Sequence, residues 1–460
     1  MNAAAAVADR LVAAGMSAKT AAAKAGLFDL AAAAHAARVS SGGVRAIRFF
    51  VPGRVEVLGK HTDYAGGRSL LCAAERGVCL IASPRSDRLL RIVDAAVGER
   101  LELSLDPEVG AARSDWEIYP ATVARRIARN FPRTAGADIV FSSDLPRAAG
   151  LSSSSALVVG LVLGIAGVQD LFDSNEFRSA VAGPERLAEF LGCVENGSTF
   201  GSLIGDRGVG AFTGSEDQTA LLCGRRGALS QYAFCPVRHE RSVRLSEDWT
   251  LVVASSGVPS DKTGSARDRY NHLSLAAHAV LECWRRETGR EDRTLLEAAT
   301  SAPEAASQMR RILERSSRPD FSAADLRDRF GQFFAECVEI IPAAVDALEK
   351  NDYAKFGRLV DRSQSLAEEL LRNQVPETIA LARDALSGGA AAASAFGGGF
   401  GGSVWALVPS SESLAFLARW RRDYFGRFPH RESAASFFET RPGPAALRLD
   451  PEPRFISDLI

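Results

Sequence analysis

A serine-rich loop that runs directly into an apolar helix constrains this chain more than any other feature. Residues 147–156 read RAAGLSSSSA, and residues 156–165 read ALVVGLVLGI. A loop of small residues that opens a helix presents unpaired backbone N–H groups and the positive end of a helix dipole. The pattern therefore predicts a phosphate site at which serine hydroxyls add hydrogen bonds or bind Mg²⁺. A flexible linker is the alternative for this segment taken alone.

Composition bounds the class of protein. The 460 residues are enough for two or three domains, at roughly 100–200 residues each. A net charge of −1 gives no global electrostatic argument for binding nucleic acid or an anionic membrane. The N-terminus lacks the pattern of a signal peptide, and no uncharged apolar run reaches the ~20 residues of a membrane span.

The seven cysteines form neither a CxxC pair nor a zinc-binding pattern. Most of them lie in apolar contexts, which indicates buried free thiols in a reducing compartment. We therefore expect a cytoplasmic protein.

The order of the predicted elements favours an α+β protein with two lobes. An alanine-rich extension, residues 1–44, is expected to form one or two helices on the outside of the main body. Short apolar runs predict strands at residues 46–51, 77–82, 89–93, 101–105, 137–142 and 403–408, with a final strand near 434–439. Helices are predicted at residues 115–131, 156–165, 184–193 and 411–425, with a mainly helical stretch from 270 to 390. The predicted domains are residues 45–250 and 251–460.

Two glycine patterns match nucleotide-binding motifs only in part. Residues 53–60 resemble a Walker A loop, but five residues separate the two glycines and His61 stands where Ser or Thr should bind Mg²⁺. Residues 397–402 match the dinucleotide fingerprint, which must open a helix, yet a predicted strand follows them. We therefore interpret residues 397–402 as a turn that allows close backbone approach.

Three segments in order resemble the three motifs of the GHMP small-molecule kinases. They are residues 52–67 (PGRVEVLGKHTDYAGG), 145–156 (LPRAAGLSSSSA) and 395–403 (AFGGGFGGS). The first closely resembles the galactokinase signature, and residues 115–119, 214–218 and 269–271 add further matches to galactokinases. The resemblance implies an N-terminal domain like domain 2 of ribosomal protein S5 and a ferredoxin-like C-terminal domain. ATP and a sugar would bind between them.

The resemblance also assigns the catalytic roles. Asp217 matches the aspartate that accepts the proton of the sugar hydroxyl or orients its oxygen. Arg54 matches the arginine that faces this aspartate, keeps it ionised and stabilises charge on the transferring phosphoryl group.

For ATP, the resemblance implies that the serine loop wraps the phosphates through its backbone N–H groups. The implied ATP-binding residues are Trp116, Ala149, Gly150, Leu151, Ser152, Ser153, Ser154 and Ser155. Ser154 and Glu195 are the implied Mg²⁺ ligands. The family usually has glycine where Ala148 stands, and alanine fits there if its φ is negative.

For the sugar, the implied residues are Asp63, His61, Gly214 and Tyr270, with Asn271 beside the last. A carboxylate can accept from two vicinal hydroxyls at once, so Asp63 suits a cis-diol. The segment from 197 to 213 is longer than usual in the family and is expected to form a loop over the sugar.

Lys60 is the main departure, because galactokinases carry glutamate at this position, where it meets the C6 end of the sugar. A cation with three donors prefers an anionic ligand. One hypothesis is therefore an acidic substrate such as galacturonate. The alternative is that Lys60 turns away or pairs with a protein acid such as Glu56.

The predicted function is ATP-dependent phosphorylation of a monosaccharide at its anomeric C1 hydroxyl. A kinase for a uronate, a pentose or a heptose is the nearest alternative, since only the sugar pocket would differ. An alternative of another class is a non-catalytic sensor of sugar and ATP, against which the retention of Arg54 and Asp217 argues. A mevalonate- or homoserine-type kinase conflicts with residues 61–64 (HTDY). The only partner implied is a small sugar or sugar acid.

Overall fold

The computed structural model describes residues 3–38, 46–110, 114, 116–260, 266–316, 318–450 and 454–459. Its strands, in chain order, are Ile47–Leu58 (β1), Arg68–Pro84 (β2), Leu89–Asp94 (β3), Arg100–Ser104 (β4), Ala137–Ser143 (β5), Ala228–Ala233 (β6), Arg238–Arg244 (β7), Trp249–Ser255 (β8), Ala392–Phe396 (β9), Ser403–Pro409 (β10), Ser436–Thr440 (β11), Leu447–Arg448 (β12) and Arg454–Phe455 (β13).

The α-helices, in chain order, are Ala3–Ala13 (α1), Ala18–Ala36 (α2), Ile118–Asn130 (α3), Ser153–Val168 (α4), Asn175–Ala180 (α5), Pro184–Asn196 (α6), Glu216–Cys223 (α7), Arg267–Thr288 (α8), Leu295–Ala299 (α9), Ala305–Glu314 (α10), Ala323–Phe334 (α11), Ile341–Glu349 (α12), Tyr353–Leu366 (α13), Pro376–Ser387 (α14) and Ser413–Arg427 (α15). A π-helical segment, Ala335–Ile340, joins α11 to α12. The prediction of an α+β protein is confirmed.

The strands form two sheets. The first has the order β13-β12-β1-β2-β5-β3-β4, and β6 and β7 extend it from β2. The second is antiparallel, with the order β11-β8-β10-β9. The prediction that the strand near 434–439 is the last was wrong, because β12 and β13 follow it and pair with the first sheet beside β1. The division at residues 250 and 251 stays a prediction.

Helix α4 packs on one face of the first sheet, against β1 and β2. Two of its glycines make this approach close: a Cβ added at Gly160 would lie 3.2 Å from Leu80, and one at Gly164 would lie 3.3 Å from Ala82. The helix is buried almost all round, as its apolar sequence predicts. The sheet therefore sets where the serine loop at the start of α4 lies.

The alanine-rich extension forms α1 and α2, which pack on the opposite face of the same sheet. Leu11 and Phe28 are buried there against Phe50, Ile81 and Val140. The prediction of one or two helices on the outside of the main body is confirmed for the described part of the extension; residues 39–44 lie outside the described residues.

Strand β1 extends past its predicted end at residue 51 and carries Arg54 and Glu56. Its pairing with β2 is irregular between Pro52 and Arg54 and again between Glu56 and Leu58. Such β-bulges redirect side chains, and residues two apart on a strand share a face. The predicted helix at 115–131 begins at Ile118, and Asp115 lies outside the described residues.

All seven cysteines are free thiols, and four of them are buried, Cys72, Cys79, Cys283 and Cys337. Cys235 is exposed, so the prediction of buried thiols holds for most of them. Within the described ranges, no helix combines the length and apolar character needed to cross a bilayer.

Candidate active site

Two adjoining cavities lie where β1, the serine loop and the turn between β9 and β10 meet. The smaller is lined by polar residues that include His61, Asp63 and Tyr270. The larger is a cleft of about 420 Å³ lined by part of the serine loop and by Trp116. Arg54, Asp217 and Gly398 line both. A group that bridges the two cavities would therefore pass these three residues.

Arg54 and Asp217 form a buried ion pair at this junction. Arg54 extends from β1 and Asp217 from the first turn of α7, and Nη2 lies 2.8 Å from Oδ1. Nη1 of Arg54 donates to the Gly150 carbonyl at 2.6 Å. Ser155 Oγ donates to Oδ2 of Asp217 at 3.2 Å. The start of a helix also favours the charged carboxylate, so both side chains are held in a defined orientation.

Two further carboxyl groups flank the same guanidinium. Glu216 Oε1 lies 3.6 Å from Arg54 Nε, and Glu56 Oε2 lies 3.9 Å from Arg54 Nη2. Burial raises the pKa of Glu216 well above its usual range, the nearby Glu56 raises it further, and Arg54 opposes both. Burial also raises the pKa of Glu56, against Arg54 and Lys60. Both carboxyls therefore ionise less readily than an exposed glutamate.

Four of the predicted sugar residues line the smaller cavity: His61, Asp63, Gly214 and Tyr270. Asp63 Oδ1 accepts from the Tyr64 N–H at 2.9 Å, and Oδ2 accepts from the Glu216 N–H at 3.1 Å. Gly214 packs directly on this carboxylate, since an added Cβ would lie 2.4 Å from Asp63 Oδ2. The rings of His61 and Tyr270 lie 4.9 Å apart, centroid to centroid. Together they give a wall with one carboxylate and two rings.

Lys60 lies elsewhere. Its side chain is 1% exposed, and Nζ donates to Ser394 Oγ at 2.8 Å and to Ser363 Oγ at 3.2 Å. It is not among the described residues that line either cavity. The interpretation of Lys60 as a sugar contact is therefore corrected, because β9 and α13 provide hydroxyl acceptors that draw the ammonium away from the cavity.

The serine loop supplies part of the cleft wall. Of the predicted ATP residues, those that line the cleft are Trp116, Gly150, Ser152, Ser153 and Ser154. Ala149, Leu151 and Ser155 are buried behind it. The Ala149 carbonyl accepts from Ser403 Oγ at 2.6 Å, and the Leu151 carbonyl accepts from the Arg54 N–H at 3.2 Å. Ala149 thus connects the loop to the start of β10, Leu151 connects it to β1, and Ser155 connects it to Asp217.

Ala148 has a φ of +50°, so the condition under which alanine fits without strain, a negative φ, is not met. Its carbonyl accepts from the Ser260 N–H at 2.7 Å. The left-handed region costs a residue with a Cβ roughly 1–2 kcal/mol. The loop therefore keeps the backbone conformation that suits glycine although alanine occupies the position.

The far end of the cleft is apolar. Trp116, Tyr119, Phe141, Leu145 and Val97 contribute to its wall. Aromatic and aliphatic side chains beside a polar loop are the usual surroundings of a ligand that has one flat apolar part and one charged part.

Ser154 offers a hydroxyl oxygen in the cleft, and Glu195 offers carboxylate oxygens in the smaller cavity. Glu195 is 2% exposed, and its Oε1 accepts from Gln218 Nε2 at 2.8 Å. Hydroxyl and carboxylate oxygens are ligands that Mg²⁺ accepts, usually together with phosphate oxygens and water. Within the described part of the chain, no cluster of three or more His, Cys, Asp or Glu residues could hold a metal.

The segment from 197 to 213 folds back on α3 and α6. Asp206 pairs with Arg125 at 3.3 Å, and the Val209 N–H donates to the Glu195 carbonyl at 2.7 Å. Its last residue, Thr213, lines the smaller cavity. Asn271 binds this segment through Phe212 N–H at 2.8 Å and the Gly210 carbonyl at 3.0 Å, which differs from its predicted role as a sugar contact.

Two groups of residues at the site could not be predicted from the sequence. Glu216 lies within the segment 214–218, but a glutamate beside an aspartate gives no reason to expect burial. Arg329, Gln332 and Glu336 contact the backbone of residues 59–61. They lie in a helical stretch without a motif, and no local signal could have identified them.

Family models match three parts of the chain. The galactokinase galactose-binding signature covers residues 38–84, the GHMP kinases N terminal domain covers 119–186, and the GHMP kinases C terminal covers 344–425. These ranges contain the loop after β1 that carries His61 and Asp63 (residues 59–67, here called the sugar loop), the serine loop with α4, and helix α13 and strand β9, which contact Lys60.

Among curated proteins, a galactokinase of Haemophilus influenzae (strain PittEE) is 26% identical over 373 residues, covering 79% of this chain and 85% of the relative. A galactokinase of Roseiflexus sp. (strain RS-1) is 29% identical over 383 residues, covering 82% and 88%. The crystal structure of Lactococcus lactis galactokinase complexed with galactose matches with a TM-score of 0.69 at 23% identity, covering 87% of this chain and 95% of that chain. The GHMP kinase N- and C-terminal models, the galactokinase signature and the galactokinase relatives together support a galactokinase-like GHMP kinase.

Proposed function

We propose that this chain transfers the γ-phosphoryl group of ATP to the anomeric C1 hydroxyl of a neutral monosaccharide. The observation that carries the proposal is the position of Arg54 and Asp217. They form an ion pair of 2.8 Å, and both line the polar cavity and the cleft. Phosphoryl transfer needs one place where donor and acceptor meet in line, beside a cation and a base.

The cleft would hold ATP. Its apolar end, with Trp116 and Tyr119, suits the adenine base, and Gly150, Ser152, Ser153 and Ser154 would face the phosphates at the start of α4. Helix N-termini bind phosphate because their N–H groups are unpaired and the helix dipole is positive there. Ser154 and Glu195 would hold Mg²⁺. When bound, the ion would neutralise phosphate charge during transfer.

In the smaller cavity, Asp63 would accept from two vicinal sugar hydroxyls while His61 and Tyr270 pack against the sugar. Asp217 would accept the proton of the attacking hydroxyl or orient its oxygen. Arg54 would keep Asp217 ionised and stabilise the charge that develops on the transferring group. Ser155 holds the second carboxylate oxygen of Asp217 at 3.2 Å, which favours one orientation toward the acceptor.

The charges of the cavity favour a neutral sugar over an acidic one. Its lining includes Arg54 as a cation and the carboxyl groups of Glu56, Asp63, Glu195, Glu216 and Asp217. Lys60, which motivated the galacturonate hypothesis, donates to Ser363 and Ser394 instead. A carboxylate on the substrate would enter a site already rich in negative charge and would be repelled.

The test is a coupled assay of ADP formation with ATP, Mg²⁺ and a panel of sugars: galactose, galacturonate, arabinose and a heptose. We expect turnover with galactose and little with galacturonate. NMR of the product identifies the phosphorylated carbon. Asp217→Asn should lower kcat by roughly 10²–10⁴-fold while sugar binding, measured by calorimetry, is retained.

A non-catalytic sensor is the contrasting outcome, and it would bind sugar and ATP without sugar-dependent ADP formation. Efficient turnover of galacturonate with none of galactose would overturn the assignment of a neutral substrate. We further propose a cytoplasmic location, where the seven free thiols would stay reduced.

A further inference from the structure

We propose that Arg329 is a positioning residue for sugar binding, which sets both the backbone and the imidazole tautomer of His61. The inference rests on the proposed sugar-kinase function, because its consequence is the shape of the sugar cavity. Arg329 lies on α11 and is 2% exposed. It lines neither cavity among the described residues, so it acts through the residues that it holds.

Three successive residues of the sugar loop are bound by one helical face. Arg329 Nη2 donates to the His61 carbonyl, Gln332 Nε2 donates to the Lys60 carbonyl at 3.1 Å, and Glu336 Oε1 accepts from the Gly59 N–H at 2.8 Å. Residues spaced by three and four positions share a face of a helix. The helix face therefore holds residues 59–61 through their main-chain atoms. These contacts do not depend on the side chain at position 60.

Arg329 also organises its neighbour on the helix. Its Nη1 donates to Gln332 Oε1 at 2.6 Å, which leaves the amide nitrogen of Gln332 to donate to the Lys60 carbonyl. His61 itself has a φ of +58°. A residue with a Cβ keeps this left-handed conformation only where its surroundings determine it strongly, and the contact from Arg329 to its carbonyl is such a determinant.

For a neutral imidazole, the hydrogen bonds to Gly398 and Tyr64 around the His61 ring have a single consistent direction. Nε2 lies 3.0 Å from the Gly398 carbonyl, which can only accept, so Nε2 carries a proton. Arg329 Nη2 can only donate, so the Tyr64 hydroxyl oxygen accepts from it at 3.3 Å. The Tyr64 proton is then directed to His61 Nδ1 at 2.9 Å. The chain runs from Arg329 through Tyr64 and His61 to Gly398.

This direction has a consequence at the site. Gly398 lines both cavities, and His61 lines the sugar cavity. Without Arg329, Tyr64 could turn its proton elsewhere, and His61 could take the other tautomer and lose its bond to Gly398. His61, in the wall of the smaller cavity, would then lose its hydrogen bond to the glycine-rich turn. The serine loop and the apolar end of the cleft would be unaffected.

The first measurement is ¹⁵N NMR of histidine-labelled full-length protein, with His61 assigned by its loss in His61→Gln. We expect Nε2 to be protonated and Nδ1 to be an acceptor in the unaltered protein. In Arg329→Gln and in Tyr64→Phe, we expect both tautomers to be populated. A protonated Nδ1 in the unaltered protein, or an unchanged tautomer in both variants, would overturn the proposal. Tyr64→Phe keeps the Arg329 contact to the His61 carbonyl, so it remains informative if Arg329→Gln folds poorly.

The second measurement is steady-state kinetics with both substrates varied. Arg329→Gln should raise the KM for sugar by roughly ten- to hundredfold and leave the KM for ATP unchanged, with partial rescue in Arg329→Lys. Arg327→Gln, an exposed position on the same helix, is the matched control and should behave as the unaltered enzyme. Equal rises in both KM values would indicate a general structural role and contradict the proposal. If the unaltered protein uses no sugar at all, the proposed function fails, and the NMR result still decides the role of Arg329.

Discussion

Glu216 Oε1 lies 3.6 Å from the Nε of Arg54, whose Nη2 is paired with Asp217 at 2.8 Å. Adjacent residues at the start of α7 thus share one guanidinium, but they differ in environment. Asp217 has a direct ion pair and a serine donor, whereas the Glu216 carboxyl lies farther from the guanidinium and accepts from Ser69 Oγ at 2.7 Å. Burial and the nearby Glu56 raise the pKa of Glu216, so Glu216 holds its proton to a higher pH than an exposed glutamate does.

The raised pKa of Glu216 makes stability depend on pH. Burial and the neighbouring Glu56 favour the protonated carboxyl and hold this pKa above the usual value of 4.5. The folded protein therefore binds more protons than the unfolded chain above pH 4.5, and its stability falls as pH rises. Glu216→Gln removes this loss of stability. The free energy of unfolding of Glu216→Gln minus that of the unaltered protein should therefore increase from pH 5 to pH 8. The expected slope is at most about 1.4 kcal/mol per pH unit, the value for one extra bound proton.

Urea unfolding at pH 5, 6, 7 and 8 measures this difference. Glu291→Gln, at an exposed position, controls for the general effect of removing one carboxylate. A difference between Glu216→Gln and the unaltered protein that shrinks with rising pH would contradict a raised pKa of Glu216.

Substitution of Lys60 should affect folding more than sugar choice. In Lys60→Met, Ser363 and Ser394 lose a charged donor, which should cost about 1–3 kcal/mol. In Lys60→Glu, a carboxylate would be buried near Glu56 and Glu336, and the cost should reach about 3–5 kcal/mol. Denaturant unfolding measures both, and assays with galactose and galacturonate should show the same preference for the neutral sugar in Lys60→Met. If Lys60→Met instead abolished a preference for galacturonate, the ammonium would have to reach the substrate.

Gly214→Ala tests the packing of Gly214 against Asp63. The added Cβ would lie 2.4 Å from Asp63 Oδ2, so the carboxylate must move. Because a displacement of about 1 Å at a positioning group can cost roughly 100-fold in rate, we expect kcat/KM for the sugar to fall by about that factor. ATP binding, measured by fluorescence titration, should be retained. Gly426→Ala, where nothing lies within 4 Å of the added Cβ, is the matched control and should change stability by less than about 1 kcal/mol.

Ala148→Gly should stabilise the protein. The φ of +50° costs alanine roughly 1–2 kcal/mol, and the greater freedom of glycine in the unfolded chain takes back about 0.4–1 kcal/mol. The expected net gain is therefore about 0.5–1 kcal/mol in the free energy of unfolding. Ala149→Gly is the matched control. Ala149 does not have a positive φ, so glycine there only adds freedom to the unfolded chain and should destabilise the protein. A loss of stability in Ala148→Gly would show that the methyl group contributes packing that exceeds the strain.

The convergence of Arg54, Asp63 and Asp217 could be predicted, because each lies in a contiguous motif whose residue types indicate its chemistry. The role of Lys60 could not. Its residue type suggested an anionic ligand, but the direction of a long side chain depends on which acceptors surround it. Those acceptors, Ser363 and Ser394, lie more than 300 residues away in the chain, and no local pattern links them to position 60.

The same distinction holds for the whole molecule. Local sequence patterns are enough to predict the serine loop at the start of α4, the α+β class and the convergence of Arg54 and Asp217, because short segments with strong local preferences carry them. Three other features depend on the tertiary fold: the return of β12 and β13 to the first sheet, the burial of Glu56 and Glu216 beside Arg54, and the contact from Arg329 to the His61 carbonyl. Each of these depends on contacts between distant segments, whose energies arise only when burial removes water from charged and hydrogen-bonding groups.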